Sequence, residues 1–424
     1  MRGIGYIRFL MVAWLILLVA GCSDDSTVVP PKESQFKMYI YLPEQEATTR
    51  SEYDIVSDRE KENKINSLQV WVFAYKPNPT TSILEPVAIE EGENKTAIGS
   101  LYMDVPNLSL TGGMKEVAFY GVADDFKDKY PKLNVYAIVN AASAGLNLLD
   151  GTTTEAQLQE QVLTGTYFGI DGTTNKPLVT SVSDAGLPMS GSLKEATVSQ
   201  INELFTITNM TLKRAVSKIR FVFAKANNIP KAEVTAIRLD AHVKYRDGNT
   251  YTYTGNDAKV LPVSEYLFPG FHGDNDNDNN ADGYAAEAED YRDCSSDYLH
   301  RIDFDVPATV PGHDNPWFLR WENEETRQEW EDKVNNAIAE GLAVESGRAY
   351  LRESPYRLRG TIEYIYREVG DTEDKNRSAT FTMADEKEFL RGHTWTVFGF
   401  FSEGGVMFEV DGWDSQEVTY PVFK

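Results

Sequence analysis

The feature that most constrains the fold of this chain is an alternation of apolar and polar side chains with a period of two residues. Between residues 36 and 42, every second side chain is that of Phe, Met, Ile or Leu. The same alternation puts Leu68, Val70 and Val72 on one face of a second run. A two-residue period is typical of a β-strand with one buried face. Further runs with strand character cover residues 135–139, 211–223, 234–245, 356–366 and 394–400.

Clusters of Gly, Asn, Asp and Pro separate these runs, which predicts an all-β fold of short antiparallel strands in β-sandwiches. The few helical patterns predict short helical insertions. One candidate helix covers residues 154–163. A second covers residues 322–342, where Trp330, Val334, Ala337 and Ile338 share one face. The chain of 424 residues is long enough for two or three domains.

The first 22 residues have the organisation of a secretory signal. Arg2 and Arg8 precede an apolar run over residues 9–19, which ends in small residues and Cys22. Because a membrane-spanning helix needs about 20 apolar residues, this run is too short for the alternative, a transmembrane segment. The pattern predicts a lipoprotein signal over residues 1–22, with Cys22 acylated. The Ser-Asp-Asp triplet that follows resembles a signal for export to the outer face of the outer membrane, and residues 23–35 are typical of a polar tether.

Composition narrows the classes of partner and activity. The formal charge of -24 disfavours nucleic acid as a partner. With Cys22 acylated, the other cysteine, Cys294, has no partner for an intrachain disulfide. The five histidines have no metal-ligand spacing, and the sequence has no nucleophile elbow or phosphate-binding glycine loop. We therefore expect a protein that is not an enzyme.

An acidic stretch has the spacing of a twelve-residue calcium-binding loop. Asp278, Asn280 and Asp282 are followed by a glycine and then by Glu289, in the position of the bidentate ligand. Against calcium, residues 261–271 contain two prolines and make a poor entering helix, and runs of Asp and Asn are commonly solvated loops. Two expectations stay open: no cofactor, or calcium bound by these side chains.

Five segments spread over most of the chain carry a resemblance to a known family. They are INSLQVWVF at 65–73, NVYAIVNA at 134–141, LPMSG at 187–191, LKRAVSKI at 212–219, and a terminal run from TWTVFG at 394–399 to VDGW at 410–413. In this order they resemble the fimbrillins, the subunits of type V pili. The resemblance implies two tandem β-sandwich domains, here over residues 36–210 and 211–424. The second domain would carry an acidic and helical insertion at about 270–345.

The resemblance also implies a route of assembly. Fimbrillins are exported as lipoproteins, an arginine-specific protease cuts after the first strand, and the terminal strand of a neighbour fills the vacated groove. Arg50 and Ser51 stand where that cut is expected; the alternative is an ordinary solvated arginine. Val418, Tyr420 and Val422 alternate in the C-terminal tail and suit a donor strand. The alternative is an edge strand of the chain's own domain.

The function implied by the resemblance is that of a structural subunit of a cell-surface pilus, or fimbrium, that supports adhesion. Its expected partners are other pilus subunits, an arginine-specific protease and, through the lipid on Cys22, the outer membrane. The other hypothesis is a surface lipoprotein that binds glycans, for which 22 tyrosines and 7 tryptophans supply aromatic side chains.

Overall fold

The computed structural model describes sixteen stretches of the chain. Strands make up most of their regular structure and helices are few, which confirms the predicted all-β fold of sandwich type. No helix among the described residues is long and apolar enough to cross a bilayer. The described residues are 34–42, 61–110, 113–146, 149–161, 163, 176–177, 179–246, 250–253, 267–268, 302–304, 308–315, 318–319, 327–351, 357–382, 391–392 and 394–411.

The strands and helices follow one another along the chain with short connections between many of them. In chain order the strands are β1 (Gln35–Leu42), β2 (Ile65–Pro77), β3 (Leu84–Val87), β4 (Leu101–Leu110), β5 (Gly113–Tyr120), β6 (Lys132–Val139), β7 (Met189–Thr197), β8 (Ser199–Ile201), β9 (Leu204–Thr206), β10 (Met210–Thr211), β11 (Lys213–Arg214), β12 (Ser217–Ala226), β13 (Lys231–Arg246), β14 (Thr250–Tyr253), β15 (Ile302–Phe304), β16 (Ala308–Thr309), β17 (Gly312–His313), β18 (Val344–Leu351), β19 (Arg357–Arg367), β20 (Lys375–Thr382), β21 (Thr394–Ser402) and β22 (Gly405–Asp411). Among the described residues the α-helices are α1 (Phe126–Lys129), α2 (Glu155–Gln159) and α3 (Arg327–Ala339), and a 3-10 helix covers Ala141–Ala144.

Two sheets enclose the core of the N-terminal half. Sheet 1 has the strand order β8-β9-β1-β5, and β10 also pairs with β1. Sheet 2 has the order β11-β7-β6-β2, with both β3 and β4 paired to β2. Leu68, Val70 and Val72 of β2 are fully buried, as their alternation predicted, and belong to one apolar core with side chains of β1, β5 and β6.

Two further sheets enclose the core of the C-terminal half. Sheet 3 has the order β17-β12-β21-β22, with β18 also paired to β12. Sheet 4 has the order β14-β13-β19-β20, with β15 and β16 paired to β13. Phe221 and Phe223 of β12 pack in this core with Ile362 and Tyr366 of β19. The division into domains at residues 210 and 211 stays a prediction.

The prediction of a single strand over residues 211–223 was wrong. The chain forms β10 in sheet 1, β11 in sheet 2 and β12 in sheet 3 within this stretch. Ala215 and Val216, between β11 and β12, are buried in an apolar cluster outside the two main cores. The stretch is rich in apolar residues because its successive parts are buried in different apolar clusters. A continuous apolar run therefore does not require one continuous strand.

Both predicted helices are present, and each ends before its predicted C-terminal limit: α2 at Gln159 and α3 at Ala339. On α3, Trp330, Val334 and Ala337 are buried against side chains of sheet 3, and Ile338 is packed at the edge of the same cluster. This confirms the predicted apolar face. The helix predicted over residues 154–163 is reduced to the five residues of α2, where Thr154 caps the N-terminus by accepting a hydrogen bond from the backbone N–H of Gln157.

Candidate functional site

The first strand, β1, lies inside sheet 1 with hydrogen-bonded neighbours along both of its edges. Along one edge it is antiparallel to β5 over its full length, from Gln35 opposite Tyr120 to Leu42 opposite Gly113. Along the other edge it is parallel to two short strands: residues 35–37 pair with β9, and residues 40–41 pair with β10. Taking β1 away would therefore leave a slot between β5 and the pair β9 and β10.

The side chains of β1 alternate between the core and the outer surface of sheet 1, as the sequence predicted. Phe36 and Ile40 are fully buried and Met38 nearly so. Burying a large apolar side chain stabilises a fold by roughly 1.5 to 3 kcal/mol. Together with the hydrogen bonds to β5, β9 and β10, these three side chains hold β1 in the sheet. The covalent connection from β1 to β2 runs through residues 43–60, which lie outside the described part.

The outward side chains of β1 make polar contacts that stabilise its position much less than the buried side chains do. The Lys37 ammonium lies 2.9 Å from the carboxylate of Glu116 on β5, and the Tyr39 hydroxyl donates a hydrogen bond of 3.1 Å to the same carboxylate. The hydrogen bond between Lys37 and Glu116 lowers the pKa of Glu116 and raises the pKa of Lys37. Exposed pairs of this kind contribute little to stability, so the buried side chains hold β1 in place.

Where the described chain resumes after β1, a buried carboxylate fastens it to the C-terminal half. Glu62 is 5% exposed, and its carboxylate accepts hydrogen bonds from the Lys218 ammonium at 2.6 Å and from the Tyr350 hydroxyl at 2.5 Å. The Lys218 ammonium also lies 5.7 Å from the centroid of the Tyr350 ring. We call Glu62, Lys218 and Tyr350 the Glu62 clasp. It joins the segment before β2 to β12 and β18.

The positive charges of Lys218 and Arg214 favour the ionised form of the Glu62 carboxylate. Burial by itself would raise the pKa of Glu62, but Lys218 and Arg214 together with the two hydrogen bonds outweigh it and hold that pKa below its ordinary value. Burial, and then the Glu62 charge, raise the pKa of Tyr350. Arg214 also donates a hydrogen bond to Asn63 beside the clasp. The segment after the predicted cut is thus anchored independently of β1.

A second connection between the halves comes from residues 267–268. They pack on the outer face of sheet 2, where Phe268 is fully buried with its ring edge-on to Tyr136 at 5.0 Å. The Leu267 backbone N–H donates to the carbonyl of Gln161 at 2.8 Å, and the Ser190 hydroxyl donates to the Leu267 carbonyl at 2.5 Å. We call this two-residue contact the Phe268 plug.

We expect Phe268→Ala to lower the free energy of unfolding by about 3 to 5 kcal/mol, because it removes a buried aromatic ring and leaves a cavity. The exposed residue Ile83 offers a control, and Ile83→Ala should leave stability nearly unchanged. Urea denaturation of the two variants measures the difference. Equal midpoints would mean that Phe268 does not pack on Tyr136.

The other residues singled out by the sequence lie outside the described part of the chain. These are the acylation site Cys22, the expected cut between Arg50 and Ser51, the donor-strand residues Val418, Tyr420 and Val422, and the calcium-loop residues Asp278, Asn280, Asp282 and Glu289. Among the described residues, no three His, Cys, Asp or Glu side chains come together as a metal-binding group. The Glu62 clasp and the Phe268 plug were missed by sequence reasoning, because no local pattern marks either of them.

Comparisons with known proteins find solved structures that are similar over most of the chain. A candidate cell adhesion protein from Parabacteroides distasonis is 12% identical, with 91% of this chain and 99% of that chain covered and a TM-score of 0.41. The tip fimbrial protein Mfa3 from Porphyromonas gingivalis, truncated at its C-terminus, is 9% identical, with 90% and 99% covered and a TM-score of 0.37. A fimbrial assembly protein from Parabacteroides distasonis is 10% identical, with 92% and 100% covered and a TM-score of 0.34.

No model of a known protein family matches this sequence. No curated protein matches it either. The solved structures to which the chain is similar include fimbrial proteins and candidate adhesion proteins.

Proposed function

We propose that this protein is a structural subunit of a cell-surface pilus. In this proposal it is exported as a lipoprotein acylated on Cys22, cut between Arg50 and Ser51, and polymerised when a neighbour's C-terminal strand replaces β1. The single observation that carries the proposal is the position of β1: a fully paired strand with a buried apolar face that precedes the expected cut. Its role is assembly and, through the pilus, adhesion.

The expected cut at Arg50 would turn β1 into a separate peptide. After cleavage, β1 would be held by its hydrogen bonds with β5, β9 and β10 and by three buried side chains. It could then leave, and the resulting edge of the sheet would accept another extended strand through main-chain hydrogen bonds and alternate side chains. The Glu62 clasp would keep the new N-terminal segment attached to the body of the subunit.

The C-terminal tail is our proposed donor. Val418, Tyr420 and Val422 would turn their side chains to the buried face of the slot vacated by Phe36, Met38 and Ile40, with Tyr420 at the register of Phe36. Release of the N-terminal peptide would also release the lipid on Cys22, so that the outer membrane is a partner of the precursor. Calcium at Asp278, Asn280, Asp282 and Glu289 stays a separate prediction that assembly by strand exchange does not require.

The glycan-binding hypothesis has less support in the described residues. An aromatic platform for sugars needs exposed ring faces, and among the residues whose burial the structure describes, Tyr120 is the one large aromatic side chain that is exposed. Most of the other described aromatic side chains belong to the apolar clusters. Glycan binding stays a separate prediction.

Processing is tested with two matched arginine variants. We expect surface polymers of the unaltered protein to begin at Ser51, and Arg50→Ala to abolish polymerisation because β1 stays covalently attached. Arg59 lies in the same segment between β1 and β2, so Arg59→Ala should polymerise normally. N-terminal sequencing of purified polymers gives the answer. Polymers that retain Cys22, or that form equally well from Arg50→Ala, would contradict processing at this bond.

A further inference from the structure

The slot around β1 is not uniform along its length, because one end is lined by aromatic rings. The Phe36 ring lies 5.9 Å from the ring centroid of Phe119 on β5 and 5.6 Å from that of Phe126 on α1. The Phe126 ring in turn lies 5.5 Å from that of Phe205 on β9. We call Phe119, Phe126 and Phe205 the Phe36 pocket. All three are fully buried.

The other two buried side chains of β1 have aliphatic or sulfur-containing cross-strand neighbours. Met38 stands opposite Val117 on β5, and Ile40 stands opposite Met210 on β10 and, on β5, opposite Lys115 with its aliphatic stem. Flexible and aliphatic side chains adapt to a change of size more readily than stacked rings do. The middle and far end of the slot therefore tolerate more variety than the end at Phe36.

The backbone of β1 is also held most completely at the aromatic end. Three residues, 35–37, pair there with β5 on one side and with β9 on the other. At the other end two residues, 40–41, pair with β5 and β10, and Met38 and Tyr39 between them pair with β5 alone. Just before β1, the Ser34 hydroxyl donates to the Asp124 carboxylate at 2.5 Å, and the Ser34 carbonyl accepts a hydrogen bond from the Val122 backbone N–H at 3.2 Å. The backbone contacts that fix the register of a strand in this slot thus lie at the same end as the aromatic contacts of Phe36.

We propose that the Phe36 pocket determines which strand the slot accepts: an incoming strand must place an aromatic side chain at the register of Phe36. This inference rests on the proposed strand exchange, and it names the chemistry of the partner strand. A small side chain there would leave a cavity among three rings, and a charged one would be buried without a partner. Aromatic pairs add edge-to-face and stacking contacts that aliphatic side chains lack. In the proposed donor strand, Tyr420 is the aromatic member of the set.

The experiment uses the full chain with residues 45–52 replaced by the site of a sequence-specific protease, so that cutting does not depend on Arg50. The cut protein is mixed with fluorescent peptides that span residues 34–42, and displacement of the bound β1 is followed by anisotropy. The probes are the unaltered peptide, its F36Y, F36L and F36A forms, and the matched M38A and I40A forms. Because the changes are in the peptides, folding of the protein is not affected.

We expect the unaltered and F36Y peptides to enter the slot, the F36L peptide to bind more weakly, and the F36A peptide to bind at least about 100-fold more weakly. The M38A and I40A peptides should lose less affinity than the F36A peptide. If the F36A peptide binds as well as the M38A peptide, the pocket is not the determinant, although strand exchange itself still holds. If no peptide displaces β1 at all, strand exchange fails, and both the proposed function and this inference are overturned.

Discussion

Deleting β1 from the full-length chain is expected to lower the free energy of unfolding of the N-terminal half by about 5 to 9 kcal/mol. This figure is the sum of three buried apolar side chains, Phe36, Met38 and Ile40, at roughly 1.5 to 3 kcal/mol each. Since a whole domain is commonly stable by about 5 to 15 kcal/mol, most of that stability would be lost. Chemical denaturation of the unaltered and shortened chains measures the change.

The control for this deletion has the same length and lies next to β1. Residues 23–30 belong to the predicted tether and equal the eight residues of β1 in number; their removal should leave the denaturation midpoint unchanged. Equal midpoints for both deletions would mean that β1 adds nothing to the core. A large loss confined to the β1 deletion would mean that a subunit without β1 is unstable until another strand fills the slot. That requirement favours polymers over free subunits.

Removing the charge of the Glu62 clasp is expected to cost about 3 to 5 kcal/mol of stability. The change Glu62→Gln leaves the Lys218 ammonium buried without its counter-ion, and breaking a buried ion pair by removing one partner carries a penalty of this size. The double variant Glu62→Gln, Lys218→Met should recover part of the loss, because no charge is then left unpaired. Thermal or urea denaturation of the single and double variants measures this coupling.

A matched exposed pair serves as the control for the Glu62 clasp. Lys129 and Glu91 are separated by the same 2.6 Å as Lys218 and Glu62, but their side chains are 43% and 29% exposed against 11% and 7%, and Lys129 also pairs with Asp125. Solvent screens such a pair, so Glu91→Gln should change stability very little. A similar loss in Glu91→Gln and Glu62→Gln would mean that burial is not what makes the clasp strong.

The Glu62 clasp also predicts a dependence of stability on pH. The folded protein holds the pKa of Glu62 below its ordinary value of 4.5, so the folded state binds this proton less readily than the unfolded state. The stabilisation is therefore fully present above about pH 4.5 and is lost as the pH falls through the lower, folded-state pKa. The difference between the unaltered protein and Glu62→Gln should be constant near neutral pH and shrink in acid. A difference that grows in acid would contradict this sign.

The sequence predicted those parts of the fold that depend on local periodicity. The alternation over residues 36–42 placed Phe36, Met38 and Ile40 on the buried face of β1, and the structure confirms it. The helical spacing of Trp330 and Val334 likewise predicted the buried face of α3. In both cases the pattern within one element decides which side chains face the core.

The sequence could not predict the contacts between distant parts of the chain. In the Glu62 clasp, Glu62 is 156 residues from Lys218 and 288 residues from Tyr350, and no local pattern brings them together. The parallel pairing of β1 with β9 and β10 depends equally on the path of the intervening chain. The prediction of one strand over residues 211–223 was wrong for the same reason. It relied on the local apolar pattern, whereas the stretch is divided among three different sheets.

The most direct test of strand exchange is to cut the purified full-length protein with an arginine-specific protease and to run it, unheated, on a denaturing gel. The account predicts a ladder of high-mass bands that collapses to a single monomer band on strong heating, since the subunits are joined by inserted strands and not by covalent bonds. Arg50→Ala, treated in the same way, should stay a monomer. A cut protein that stays monomeric, with residues 23–50 still bound to it, would contradict the account.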